Sequence, residues 1–153
     1  MQLYLMRHGP YLAKDIDPEE GLSPQGMEVV RRVAHELKDL GVAPDVLVTS
    51  PKKRARETAA IAAQVLGYPE KEIQETSLVK SMTPPEETLR HLSGLAGHSI
   101  LSVGHLPNVR LVTSLLLSGN DQAEIIFEPG SVCALDLEQM PQGRAALRWL
   151  LKP

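Results

Sequence analysis

Apolar residues along this chain alternate between short continuous runs and helical spacing, and proline, glycine and small hydroxyl residues mark the switches. Gln2 to Met6 is an apolar run broken by His8, Gly9 and Pro10, the pattern of a buried strand that ends in a loop. Ser23 before Pro24 reads as an N-cap with a first-turn proline, and Met27, Val30, Ala34 and Leu37 then recur at helical spacing until Gly41. Asp45 to Thr49 is a second strand-like run. Ser50 and Pro51 repeat the cap signal ahead of a helix from Lys52 to Leu66, which Gly67 ends. Ile73 to Val79 includes a short extended piece, and Thr83 with Glu86 has capping-box spacing at the head of a helix reaching about Leu95. Ser99 to Val103 reads as a third buried strand, Leu106 to Leu117 as a helix and Asn120 to Gly130 as a loop. Ser131 to Leu137 and Ala145 to Leu151 flank Pro141 to Gly143 as a terminal hairpin.

The βαβα alternation predicts an α/β fold, a three-layer α/β/α sandwich whose sheet is mostly parallel with an antiparallel edge. With 153 residues, 42% of them hydrophobic, the chain is expected to form one domain over 1–153 without a disulfide or structural metal. A lone Cys133 cannot form an internal bridge, and there is no charged start followed by an apolar signal core, so a reducing cytoplasm is expected. Apolar runs such as Leu115 to Leu117 fall far short of the ~20 residues of a membrane span. A formal net charge of −3 argues against a general polyanion binder. Trp149, Phe127, Tyr4, Tyr11 and Tyr68 are not interleaved with a basic stripe, which argues against a base-stacking nucleic-acid module. Any phosphate affinity is therefore local.

In open α/β sheets ligands bind outside the carboxyl ends of the strands. Residues there form a coherent set: Arg7, His8 and Gly9 after the first strand, Ser50, Pro51 and Arg54 after the second, Gly104 and His105 after the third. Arginine forks bind phosphate oxygens, and a helix N-terminus near Ser50 adds backbone donors on the same side. One imidazole beside the guanidiniums would stay neutral and nucleophilic while the pocket stabilises charge on a transferring phosphoryl group; spacing alone leaves open which histidine attacks. Simpler readings exist for each residue. A strand-end histidine can be a satisfied core group, and Lys52-Lys53-Arg54-Ala55-Arg56 can be a solvated basic face, to which Arg56 and both lysines are assigned. A metal pair of His8 and His105 lacks a third ligand at suitable spacing and would face repulsion from the arginines. His35, His91 and His98 receive no role.

Leu5-Met6-Arg7-His8-Gly9 resembles the first signature of the histidine phosphatase superfamily, also called the phosphoglycerate mutase-like fold. Leu22-Ser23-Pro24-Gln25-Gly26 resembles the Leu-Thr-x-x-Gly element of that family, Ser50-Pro51-x-x-Arg54-Ala55-x-x-Thr58 its second signature, and Gly104-His105 its late histidine. The resemblance implies that His8 is the nucleophile that becomes phosphorylated and that Arg7, Arg54 and His105 hold the phosphoryl group, with no cofactor and no metal. The small size and the stretch Ser102 to Val109 look most like the SixA-type phosphohistidine phosphatases, and Gly67 to Pro84 leaves little material for a lid over a sugar phosphate. Relatives acting on phosphoesters usually place a carboxylic acid in that interval, whereas Val79, Lys80, Ser81 and Met82 offer none. Glu86 is the nearest candidate general acid, with Glu87 beside it, although both suit the first turn of a helix equally well. A protonated imidazole leaves more easily than an alkoxide, so the missing acid favours N–P over O–P cleavage.

The expectation is therefore a metal-independent phosphatase working through a covalent phosphohistidine on His8, with a phosphohistidine-bearing protein as partner and phosphate or another oxyanion in the pocket. The alternatives are a small-molecule phosphomonoesterase of the same superfamily and a noncatalytic phosphate- or phosphoprotein-binding module. Neither a nucleic acid nor a membrane is expected as partner. Pro10 departs from the polar or acidic residue that commonly follows the family's glycine, and Tyr11, Asp15, Asp17, Glu19 and Glu20 form a segment whose course the pattern does not predict.

Overall fold

A computed structural model describes residues 1–140 and 144–153, and in it the apolar runs become strands, the central ones buried on both faces. β1 (Gln2–Arg7) directs Leu3 and Leu5 into one core and Tyr4 and Met6 into the other. Successive strand side chains point to opposite faces, so a strand covered on both sides needs an uninterrupted apolar run. β2 (Val46–Thr49), β3 (Gln74–Glu75), β4 (Ser99–Gly104), β5 (Val132–Asp136) and β6 (Ala146–Leu151) complete a six-stranded sheet in the order β3-β2-β4-β1-β5-β6. The first four positions in that order are parallel, and β5 and β6 form the antiparallel edge.

Two helices cover each face. α1 (Pro24–Asp39) contributes Val30, Val33 and Leu37, and α2 (Lys53–Leu66) contributes Ala55, Ala59, Ala62 and Ala63, to a core shared with Met6, Leu47 and Leu101. α3 (Pro85–Ser93) and α4 (Asn108–Ser118) place Leu89, Leu92, Val112 and Leu116 against Leu3, Val48 and Ile100. Each fully buried leucine or isoleucine side chain contributes roughly 1.5–3 kcal/mol. A one-residue slip of a strand would exchange its two faces, so these cores also fix the register that the site depends on. Cys133 is buried in β5, where desolvation pushes its thiol up to about 12 and makes thiolate chemistry unfavourable.

Several expected caps are built differently. Ser23 does cap α1, its Oγ accepting from the Gly26 N–H at 2.9 Å. Ser50, however, is not the cap of α2; that position is Lys52, and the Ser50 hydroxyl is engaged elsewhere. The Thr83–Glu86 capping box does not form, because Pro84 takes the cap position and Thr83 Oγ1 donates to the Ser77 carbonyl at 3.0 Å. The extended piece within 73–79 is only the two-residue β3, which makes the expected third buried strand the fourth in the chain. The Ser131–Leu137 and Ala145–Leu151 segments pair as an antiparallel ladder. The turn expected at Pro141 to Gly143 lies outside the described residues.

Gly26 explains a family-like position in physical terms. It sits in the first turn of α1 against the chain at Pro10, where an added Cβ would collide with the Pro10 carbonyl oxygen. Alanine within a helix normally gains roughly 0.5–1 kcal/mol over glycine. Gly26→Ala is instead expected to lose about 2 kcal/mol or more, read as a lower urea midpoint. A midpoint equal to or above wild type would contradict this close approach.

Candidate active site

Strand register alone brings the two predicted histidines together. β1 and β4 pair in parallel with Arg7 opposite Gly104, so the next residues, His8 and His105, leave the sheet side by side. Their ring centroids are 4.9 Å apart, and the His8 N–H donates to the Gly104 carbonyl at 3.0 Å. β2 ends alongside, where the Ser50 N–H donates to the Val103 carbonyl at 3.2 Å. Gly104 allows this convergence because the Val79 carbonyl oxygen lies 2.9 Å from where its Cβ would be.

Hydrogen-bond accounting assigns both rings. His8 is 4% exposed, and its Nδ1 lies 2.9 Å from the Gly9 carbonyl oxygen. A carbonyl only accepts, so Nδ1 carries the proton and the lone pair is on Nε2. Ser50 is fully buried; its Oγ accepts from the Lys52 N–H at 3.2 Å and lies 2.8 Å from His105 Nε2. With the Ser50 hydroxyl donating to that nitrogen, the neutral ring carries its proton on Nδ1, which is buried and without a partner among the described residues. Desolvation first, then its arginine neighbours, pushes His8 down to about 4 despite the Gly9 hydrogen bond. Desolvation, followed by the charge effects of His8, Arg54, Lys52 and Arg7, takes His105 to about 3. Both rings are neutral at pH 7.

The arginines are anchored differently. Arg7 donates from NH1 to the Phe127 carbonyl at 2.7 Å, and burial lowers its pKa. The Arg54 guanidinium lies over the Tyr11 ring, 4.9 Å from its centroid. The Nε atoms of both are buried and unpartnered among the described residues, like His105 Nδ1. Three buried side-chain nitrogens from three different chain segments are thus left without a partner among the described residues, and the residues that carry them, Arg7, Arg54 and His105, are neighbours of His8. Thr58 locks two of these segments together. Fully buried, its Oγ1 accepts from the Gly9 N–H at 3.0 Å and donates to the Arg54 carbonyl at 2.7 Å.

The structure thus gathers Arg7, His8, Arg54 and His105 with Ser50. Glu86 stands apart: it is exposed in the first turn of α3 and lines an outer groove with Leu111, Leu115 and Asp121. Asn108 instead holds the interval before α3, its Nδ2 donating at 2.8 Å to both the Thr83 carbonyl and Thr88 Oγ1. Sequence reasoning missed Tyr11, whose ring meets His8 edge-on at 5.2 Å, and the Phe127 carbonyl. Backbone acceptors leave no trace in residue identity. Tyr11 follows the signature by only two positions, and that proximity was the available signal. No three His, Cys, Asp or Glu side chains gather as a metal site among the described residues.

The family model of the histidine phosphatase superfamily (branch 1) matches residues 3–82. No curated protein matches. Among solved structures, the protein histidine phosphatase SixA complexed with tungstate is similar, with a TM-score of 0.85 and 22% identity over 99% of this chain and 96% of that one. A provisionally named phosphohistidine phosphatase SixA from Nakamurella multipartitia has a TM-score of 0.80 at 22% identity, covering 99% of this chain and 95% of that one. A mycobacterial glucosyl-3-phosphoglycerate phosphatase in complex with VO3 has a TM-score of 0.73 at 13% identity, covering 97% of each chain. These likenesses establish a shared fold, the phosphoglycerate mutase-like α/β architecture.

The depressed histidines carry a consequence for stability. In the unfolded chain both titrate near 6.5, so as pH falls below that value the unfolded state binds protons that the folded state refuses. The stability from these neutral rings is present above about pH 6.5 and is lost as pH falls toward 4 for His8 and 3 for His105. Each excess proton adds about 1.4 kcal/mol per pH unit to the slope. Between about pH 5.5 and 4.5, the unfolding free energy of His105→Gln should fall less steeply than that of wild type by about 1 kcal/mol per pH unit. Parallel slopes in urea titrations would show that His105 is not held neutral.

Proposed function

The chain belongs to the histidine phosphatase superfamily and is a phosphatase of that superfamily, and from that premise we propose that it removes phosphoryl groups from phosphohistidine on protein. The observation that carries the reading is the free His8 Nε2 in a cluster with Arg7, Arg54 and His105, whose Nε, Nε and Nδ1 atoms are buried and unpartnered among the described residues. In the first step the Nε2 lone pair forms a bond to phosphorus, and the bond from phosphorus to the leaving imidazole breaks with its pair going to that imidazole. Already protonated on its other nitrogen, the leaving ring departs neutral. His105 Nδ1–H and the two guanidiniums hold the equatorial oxygens where charge is spread. In the second step water attacks the phosphorus on His8, the Nε2–phosphorus bond breaks, and inorganic phosphate leaves with the displaced proton passing to solvent.

Two features support phosphohistidine over a phosphoester. Val79 to Met82 offer no carboxylate beside the pocket, and Glu86 faces the outer groove. Residues 67–84 form only two single 3-10 turns and the short β3, too little for a helical lid. A site without a lid suits a phosphoryl group presented on another protein. The fold shared with a protein histidine phosphatase that carries tungstate supports the same reading.

Phosphate release in chelator from a histidine-phosphorylated protein and from p-nitrophenyl phosphate, with wild type and His8→Ala, tests the proposal. Release from phosphohistidine that disappears in His8→Ala is expected. Preference for the ester would point to a small-molecule phosphomonoesterase, and release from neither to a binding module. Arg54→Ala is expected to lower kcat/KM on the order of 10²-fold and to weaken inhibition by inorganic phosphate. An unchanged phosphate inhibition constant would remove Arg54 from the pocket.

A further inference from the structure

The segment between β1 and α1 is held at both ends and at its middle. Tyr11 pairs with Leu22 in an isolated antiparallel bridge, and the Leu12 N–H donates to the Gly21 carbonyl at 2.8 Å. Leu22 in turn donates its N–H to Glu57 Oε1 on α2 at 3.0 Å, and Asp17 takes a 2.9 Å ion pair from Lys53 Nζ on the same helix. The Tyr11 backbone is therefore fixed relative to α2, the helix that carries Arg54. Tyr11 is 42% exposed, so packing in the core does not explain where the ring lies.

The two arginines show why that ring matters. Arg7 has a carbonyl anchor at 2.7 Å, whereas among the described residues the Arg54 guanidinium has neither a hydrogen bond nor an ion pair and lies over the Tyr11 face, 4.9 Å from the ring centroid. The same ring meets His8 edge-on at 5.2 Å. A flexible guanidinium with no partner would spread over several rotamers and would have to be ordered at each substrate encounter. A cation over an aromatic face gains attraction from the ring quadrupole, and the gain grows as water is excluded.

We propose that Tyr11 is a positioning residue for phosphoryl transfer, its ring holding the Arg54 guanidinium beside the His8 imidazole before substrate arrives. This rests on the reading of the pocket as a phosphatase site. It is the ring, not the phenolic hydroxyl, that does the holding. Replacing Tyr11 by leucine removes the quadrupole and keeps an apolar side chain at an exposed position, so the fold is retained.

The test compares wild type, Tyr11→Leu and Tyr11→Phe with phosphoimidazole as donor, measuring kcat, KM and inhibition by inorganic phosphate, alongside trapping of the phosphoenzyme. Tyr11→Leu is expected to lower kcat/KM about five- to tenfold and to weaken phosphate inhibition by a comparable factor. Tyr11→Phe, which keeps the face of the ring, restores most of that loss. Equal losses in both variants would transfer the role to the hydroxyl and overturn the proposal, as would unchanged phosphate inhibition in Tyr11→Leu. Absence of any phosphoenzyme in wild type would instead overturn the phosphatase reading beneath it, a result separate from either Tyr11 outcome.

Discussion

Parallel pairing of β1 with β4 places Arg7 opposite Gly104, and the pocket is assembled around that register. The next residue on each strand is a histidine, so two imidazoles meet at the end of the sheet without any long-range loop having to deliver them. Order in the sheet matters as much as register. β4 inserts between β1 and β2, so Ser50 at the end of β2 reaches His105 while the loop after β1 turns toward α2. Both apolar cores pin this arrangement, because a slip that moved His8 away from His105 would also expose Leu3 and Leu5 or Tyr4 and Met6 to the wrong face.

Electrostatics then turns proximity into chemistry. Burying two imidazoles beside two guanidiniums disfavours a further positive charge, and both rings stay neutral. Each neutral ring has one N–H and one lone pair, and backbone and hydroxyl partners decide which nitrogen carries which. The Gly9 carbonyl fixes the proton of His8 on Nδ1, while the Ser50 hydroxyl occupies His105 Nε2. The cost is a set of buried donors without partners among the described residues, which the proposed phosphoryl group would satisfy. Thr58 limits the freedom of the assembly by tying the Gly9 backbone to that of Arg54.

Much of this was legible in the sequence because the fold class follows from alternation of periodicities and the site follows from where strands end. Arg7, His8 and His105 are strand-end residues, and Arg54 lies one helical turn beyond another strand end, so position alone drew them to one rim. Ser50 was visible as a small hydroxyl before a proline, but the pattern suggested a helix cap, and only the register of β2 against β4 shows its partner to be His105. Thr83 and Glu86 misled for a related reason: two consecutive prolines impose their own entry into α3, which frees Thr83 to bond Ser77. The role of Thr58 and the placement of Tyr11 depend on contacts between segments distant in sequence, which no local pattern encodes.

Through their hydrogen-bond partners the two rings leave His8 Nε2 as the proposed attacking atom. Trapping the phosphoenzyme in base, where a phosphoramidate survives, and locating its phosphorus by ³¹P–¹H and ¹⁵N correlation would test it most directly. One phosphorylated residue, His8, with phosphorus on Nε2 is the expected result. Phosphorus on Nδ1 of His8, or on His105, would contradict it.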